Sequence, residues 1–133
     1  MNNVLADTHS IIWYLSETNK LSTAARKSLE QAEQHGKILV SSITIVELIY
    51  LTERRRIDQA VLDELWNSIS NSLEPIDVVP LTVRIALEMN YIPRSTVPDM
   101  PDRIIAATAF STGLELVTAD ARIRALTNLK TVW

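Results

Sequence analysis

The sequence has no cysteine, and this absence excludes several kinds of chemistry at once. A chain without thiols has no disulfide framework, no thiolate nucleophile and no CxxC zinc site, which fits a reducing compartment. Glycine is nearly as scarce. Gly36 and Gly113 belong to neither a GxGxxG nor a GxxxxGK[ST] pattern, so no phosphate-cradling loop is predicted. With His9 and His35 as the two histidines, the sequence offers little support for a Ser-His-Asp triad.

Long hydrophobic runs are missing as well. No apolar stretch approaches the length of a membrane span, and the N-terminal segment "MNNVLAD" lacks the basic and apolar regions of a signal peptide. We therefore expect a cytoplasmic protein with no membrane association. The net charge of -3 argues weakly against nucleic-acid binding, unless some of the acids are gathered in a site rather than spread over the surface.

The apolar residues that are present suffice for a core. A chain of 133 residues with 47% hydrophobic content suits one domain. Short, partly β-branched runs that do not alternate predict buried strands of a parallel sheet covered on both faces. These runs are residues 4–6, 38–40, 76–79 and 114–117, with 131–133 as a short edge strand. Helical stripes lie between them, so the chain is predicted to be α/β.

Acidic residues lie at or near the ends of several predicted elements. Asp7 directly follows the first strand, and Asp120 follows a later one in "LVTAD". Glu47 lies about a turn into the helix after the second strand, and Asp99 and Asp102 open the apolar helix of "PDMPDRIIAATA". Ligands of open parallel sheets bind outside the carboxyl ends of the strands. The sequence therefore predicts a cluster of acids at that edge.

Each acid also has an ordinary structural role open to it. Asp7, Asp99 and Asp120 are each placed to be the N-cap of a following helix. Asp102 lies in a first helical turn, where the helix dipole favours a negative charge. Glu47 is compatible with a solvated helix face, although it interrupts the apolar run "ITIVELIYL". The prediction of a site therefore depends on the acids as a set.

Carboxylates held this close together share protons or bind cations. Ligand sets made of oxygen alone suit Mg²⁺ or Mn²⁺ better than Zn²⁺. Because a bound metal lowers the pKa of its own water, such a site needs no histidine general base. The acids therefore predict a divalent-cation site.

Four segments together resemble the motifs of PIN-domain nucleases: "ADTHSIIWYL", "SSITIVELIYL", "PDRIIAATA" and "LVTADARI". Their order and spacing are similar to those of the VapC-like toxins of prokaryotic type II toxin–antitoxin systems. The resemblance implies a three-layer α/β/α fold with a central, mainly parallel sheet of four to five strands, forming a single PIN-like nuclease domain over residues 1–133. It also implies an endoribonuclease that depends on Mg²⁺ or Mn²⁺ and hydrolyses RNA phosphodiester bonds.

The resemblance also assigns roles to residues. Four acids match its catalytic and metal-binding positions: Asp7, Glu47, Asp102 and Asp120. Of these, Asp7 and Asp102 are expected to be direct ligands. Four further residues are predicted to support the acids: Thr8, Ser42, Asp99 and Thr118.

The partners implied by the resemblance are an RNA substrate, a second copy in a homodimer and a small cognate antitoxin protein. Two alternatives remain open: a non-catalytic PIN-fold module that binds RNA or protein, and a Mg²⁺-dependent phosphoryl-transfer domain of receiver or phosphatase type. A receiver would have paired acids after its first strand and a lysine after a late strand, and neither is present. The complete set of acids argues against the non-catalytic module.

Basic residues are unevenly spread. The run at 54–56 is followed by Arg94, Arg103, Arg122 and Arg124. These side chains could contact phosphates near the predicted site. For residues 54–56, a solvated helix end is an equally good interpretation.

Overall fold

The computed structural model describes residues 2–133, which fold around a five-stranded sheet. The strands are β1 (Val4–Ala6), β2 (Ile38–Ser41), β3 (Ile76–Val79), β4 (Glu115–Val117) and β5 (Thr131–Val132). Their spatial order is β3-β2-β1-β4-β5, and each neighbouring pair is parallel. The predicted parallel sheet is confirmed, including the short edge strand near the C-terminus.

Helices connect the strands. They are α1 (Thr8–Ser16), α2 (Thr23–His35), α3 (Ser42–Glu53), α4 (Gln59–Ser70), α5 (Val83–Glu88), α6 (Met100–Thr112) and α7 (Ala121–Arg124). Two short 3-10 turns lie at Thr18–Lys20 and Met89–Tyr91. Among residues 2–133, no helix is both long enough and apolar enough to span a membrane.

Two hydrophobic cores lie on opposite faces of the sheet. On one face, Val4 and Ala6 of β1 pack with residues of α1, α2, α3 and α4. On the other face, Leu5 packs with residues of α5, α6 and α7. All three β1 residues are buried, which explains why this strand reads as a continuous apolar run. The helices and the sheet form the predicted α/β/α layers.

Helix α6 is the central helix that its composition predicts. Residues 104–109 are all buried, and Gly113 ends the helix with φ 72°, a left-handed conformation that favours glycine. The backbone N–H of Gly113 donates to the carbonyl of Ala109. Because α6 packs centrally, its N-terminal turn is held in a fixed place relative to the sheet.

The proline-rich segment at residues 92–101 is anchored by buried side chains. Ile92 and Val97 are 0% and 1% exposed. The guanidinium of Arg103 donates to the backbone carbonyls of Ile92 and Met89 at 2.9–3.2 Å. Arg103, which the sequence grouped with possible phosphate contacts, is therefore engaged in fastening this segment to α6.

Candidate active site

A cleft of about 530 Å³ lies at the carboxyl edge of the sheet. Nine residues line it: Asp7, Thr8, His9, Trp13, Glu47, Asp99, Asp102, Ala119 and Asp120. The four acids predicted as the catalytic set thus face one cavity, together with two of the four predicted supporting residues. They come from α3 and from the segments that begin α1, α6 and α7.

Asp7 is placed in the cleft by β1 and by the start of α1. Its backbone N–H donates to the carbonyl of Val117 in β4. The backbone N–H of Ser10 donates to Asp7 Oδ1 at 2.9 Å, so Asp7 is the N-cap of α1 as its position suggested. The Ser10 hydroxyl also donates to the Val117 carbonyl at 3.0 Å. These bonds fix a carboxylate that is 8% exposed at the junction of two strands.

Asp120 is held in a similar way at the end of β4. Its Oδ1 accepts from the backbone N–H groups of Arg122 and Ile123 at 2.8 and 3.2 Å, which makes it the N-cap of α7. The buried hydroxyl oxygen of Thr118 accepts from the Asp120 backbone N–H at 3.1 Å. Thr118 therefore shapes the turn that carries Asp120, without lining the cleft itself.

Asp99 and Asp102 enter the cleft from the first turn of α6. Asp99 is the N-cap, and its Oδ2 accepts from the Asp102 backbone N–H at 3.3 Å. Pro101 lies in the first turn, where its missing N–H does not interrupt the helix. Both carboxylates line the cavity, so the capping role and the position in the site coexist.

Glu47 is held by a chain of two hydroxyl groups. The Thr8 hydroxyl donates to Glu47 Oε1 at 2.6 Å, and Thr44 Oγ1 lies 3.1 Å from Thr8 Oγ1. A threonine hydroxyl has one proton, so when Thr8 donates to the carboxylate, Thr44 must donate to Thr8. Both threonines are buried. Thr44 was not predicted, and its position three residues before Glu47 on α3 was the one signal available.

Ser42 differs from the other predicted supporting residues in its hydrogen-bond partner. Its hydroxyl oxygen accepts from the Leu81 backbone N–H at 3.0 Å, and it does not line the cleft. The neighbouring Ser41 is the N-cap of α3, accepting from the backbone N–H of Ile43. The structure thus places Ser42 against the segment that follows β3.

The sequence of this chain is similar to those of known proteins. Residues 4–129 match the protein family described as PIN domain. The chain belongs to the PIN-domain family. It is also 34% identical to Ribonuclease VapC22 of Mycobacterium tuberculosis over 135 aligned positions, which cover 100% of this chain and 100% of that protein. The resemblance identified from the four sequence motifs is confirmed.

Solved structures show the same PIN-domain fold. VapBC from Salmonella typhimurium, bound to DNA, matches with a TM-score of 0.73 and 21% identity, covering 99% of this chain and 98% of that chain. VapBC2 from Rickettsia felis, bound to a DNA fragment from its promoter, matches with a TM-score of 0.72 and 16% identity, covering 98% and 97%. At such identities the likeness confirms the three-layer fold.

Two acids of this PIN domain, Asp102 and Glu47, have raised pKa values. The pKa of Asp102 is raised from its ordinary 3.8 to about 7. Burial is the largest cause, and it is followed by the negative charges of Asp99, Asp120, Glu47 and Asp7. The cleft is therefore a place where an ionised Asp102 is disfavoured unless a positive charge joins it.

The pKa of Glu47 is also raised, and its hydrogen bond from Thr8 reduces the rise. Burial raises its pKa, as do the nearby charges of Asp99 and Asp7. The hydrogen bond from Thr8 and the proximity of His9 lower it. The Thr8 hydroxyl thus keeps Glu47 closer to its ionised form, which is the form that binds a cation.

The donor atoms of the cleft suit a hard divalent cation. PIN-domain VapC ribonucleases are typically divalent-metal dependent. Apart from His9, the polar side chains that line the cleft offer carboxylate or hydroxyl oxygen, the donors that Mg²⁺ and Mn²⁺ prefer. No group of three or more Asp, Glu or His side chains in the described residues is arranged as a ready-made metal site. Because Mg²⁺ keeps several waters and needs only one or two direct carboxylates, the donor set fits an ion held partly through water.

Proposed function

We propose that this protein is a divalent-metal-dependent endoribonuclease and the toxin component of a VapBC-type toxin–antitoxin system. It hydrolyses RNA phosphodiester bonds, acts in the cytoplasm and uses residues 1–133 as one nuclease domain. The observation that carries the proposal is the convergence of Asp7, Glu47, Asp102 and Asp120 on one cleft of a PIN-family chain. The identity to a protein named as a ribonuclease over its full length supports the choice of RNA as substrate.

The four acids have distinct roles in this proposal. Asp7 and Asp102 would be the direct ligands of Mg²⁺ or Mn²⁺, and Glu47 and Asp120 would complete the set of oxygen donors around it. A bound ion would supply an acidified water and would stabilise the negative charge that develops on the scissile phosphate. The capping bonds of Asp7 and Asp120 fix their carboxylates before the substrate arrives, so little reorganisation is needed during the reaction.

We expect Thr8 and Thr44 to position Glu47 through their chain of hydrogen bonds. Thr8→Val removes the 2.6 Å bond to Glu47 and should lower kcat for RNA cleavage roughly 10- to 100-fold, the usual effect of removing a residue that orients a metal-site ligand. Thr44→Val should lower kcat less, because it acts only through Thr8, and Thr44→Ser should restore the parent rate. The measurement is kcat at saturating Mn²⁺, with the thermal melt of each variant recorded.

Thr52→Val is the matched control for these substitutions. Thr52 also lies on α3, and its hydroxyl donates to the Leu48 carbonyl away from the cleft. It should cleave RNA within about twofold of the parent. If Thr8→Val cleaves as fast as Thr52→Val, the hydroxyl chain has no part in the reaction.

Protein partners are part of the proposal. We propose a homodimer that binds a small antitoxin protein. Tyr50 on α3 and Trp66 on α4 are 59% and 60% exposed, and large exposed aromatic side chains are typical of protein interfaces. Trp13 and Tyr14, two other aromatic residues on a helix, are instead partly buried against the core. Light scattering on the purified protein should give twice the monomer mass.

The direct test of the proposed activity is incubation with structured RNAs in Mn²⁺, with and without EDTA. Discrete cleavage products that disappear with EDTA are the expected result. RNA binding without cleavage in either buffer would support the non-catalytic module instead. An acid-labile phosphate on the protein would support the phosphoryl-transfer domain.

A further inference from the structure

A row of aromatic rings begins at the cleft. His9 and Trp13 lie about one turn apart on α1, and both line the cavity. Their ring centroids are 5.6 Å apart at 49°, and the Trp13 ring is 5.8 Å from the Trp133 ring at 56°. Two of the chain's three tryptophans thus stand in one row beside the acids.

Packing against the core explains the two tryptophans of this row, but it does not explain His9. Trp13 and Trp133 are partly buried and pack against the core beneath α1, which accounts for their place in the fold. His9 is exposed, and within residues 2–133 its ring makes no hydrogen bond or ion pair. Core packing therefore accounts for the positions of Trp133 and of the buried side of Trp13. It does not account for the exposed His9 ring, which lines the cleft next to Trp13.

The cleft carries many negative charges, so an aromatic ring offers a nucleic acid a contact that does not depend on charge. Among the described residues, the nine that line the cavity include five acids and neither lysine nor arginine. A polyanion entering the cleft therefore meets no lysine or arginine side chain there. Aromatic rings bind nucleobases by stacking, which needs no opposite charge and tolerates any base because every base has a flat face.

We propose that His9 and Trp13 form a stacking subsite for one unpaired nucleobase next to the scissile phosphate. The proposal rests on the nuclease function above and names its substrate as RNA that is single-stranded at the cut. A base inside a duplex has both faces covered by neighbouring pairs, so it cannot stack on the protein. The subsite therefore selects loops and single-stranded segments over helical RNA.

The test is a double-mutant cycle between the protein and the RNA. A labelled single-stranded RNA that the parent cleaves is compared with copies carrying an abasic nucleotide on either side of the cut. Binding is measured by fluorescence anisotropy in Mn²⁺ in an Asp7→Asn background, which prevents turnover. His9→Ala removes the ring and His9→Phe keeps one. His35→Ala removes an exposed histidine on α2 that does not line the cleft.

We expect His9→Ala to weaken binding of the intact RNA about 5- to 100-fold, the usual effect of losing one base–aromatic stack. His9→Phe and His35→Ala should bind within about threefold of the background protein. One abasic RNA should bind the background protein about as weakly as His9→Ala binds intact RNA. That same abasic substitution should have no further effect on His9→Ala.

The proposed subsite is wrong if His9→Ala binds intact RNA as tightly as the background protein does. It is also wrong if His9→Ala still prefers intact over abasic RNA by the same factor as the background protein. Cleavage by the protein with native Asp7 separates this result from the proposed function. If that protein cleaves RNA in Mn²⁺ and the cycle shows no coupling, the subsite alone is wrong. If the protein with native Asp7 cleaves no RNA in Mn²⁺, but His9→Ala still weakens binding of an intact single-stranded RNA and not of a fully abasic one, the nuclease function is wrong and the base-binding site stands.

Discussion

Asp7→Asn should lower the rate of RNA cleavage by about a thousandfold or more and leave the protein folded. Asparagine can still accept the Ser10 backbone N–H, and it is as good an N-cap as aspartate. It lacks the negative charge that a direct ligand of Mg²⁺ or Mn²⁺ provides, and a loss of this size follows when the main charge-stabilising group of a reaction is removed. The measurement is single-turnover cleavage in Mn²⁺ with a thermal melt of the same sample.

Asp58→Asn is the matched control for this substitution. Asp58 is the N-cap of α4, where its Oδ1 accepts from the backbone N–H of Ala60, and it is exposed outside the cleft. Its variant makes the same chemical change at a similar cap and should cleave RNA within about twofold of the parent. Cleavage by Asp7→Asn at the parent rate would remove Asp7 from the site.

Asp102→Asn should stabilise the metal-free protein while abolishing its activity. In EDTA at pH 8 the parent holds an ionised Asp102 that is partly buried among four other acids, and burial, followed by their negative charges, raises the pKa of this carboxyl to about 7. Allowing for solvent screening, its removal should raise the free energy of unfolding by about 1–2 kcal/mol, or the Tm by roughly 4–8 °C. The helix dipole favours a first-turn acid by only about 0.3–1 kcal/mol, so the gain outweighs this loss.

The stability of the metal-free protein should fall as pH rises. Between about pH 4 and 7 the folded protein keeps a proton on Asp102 that the unfolded chain has released, so its stability falls as pH rises through this window. Glu47, whose pKa is also raised, acts in the same direction. Melts in EDTA should show this fall for the parent and a shallower one for Asp102→Asn.

A surface acid separates this effect from a general loss of negative charge. Asp63→Asn changes an exposed acid on α4 and should leave the pH dependence of the parent unchanged. Saturating Mg²⁺ should stabilise the parent more than it stabilises Asp102→Asn, since the variant lacks a ligand. An Asp102→Asn protein that melts below the parent at pH 8 in EDTA would contradict the account.

The position of the acids could be predicted because two local rules place them. Asp7, Asp99 and Asp120 each precede a helix, and capping fixes one oxygen of each side chain where that helix begins. Parallel strands end at a common edge, which brings the start of α1 and the turn after β4 together. Each of these three acids therefore has the structural role that its position suggested and also lines the cleft.

The contacts that could not be predicted depend on how helices rotate against one another. Thr44 and Thr8 are 36 residues apart, and their contact requires that α3 and α1 turn particular faces toward each other. Ser41 and Ser42 look alike in the sequence, yet one caps α3 and the other accepts a bond from Leu81. The direction in which each of these side chains points is set by packing of the whole fold. It cannot be predicted from helical spacing or composition.

A titration of the Asp102 carboxyl by NMR, with and without Mg²⁺, tests most directly whether these carboxylates form a cation site. We expect a pKa of about 7 in EDTA, because burial and the neighbouring acids disfavour the charge, and a fall to below about 5 when Mg²⁺ saturates the site. A pKa near the ordinary 3.8 in EDTA, or a raised value that Mg²⁺ does not move, would mean that these carboxylates do not form a cation site.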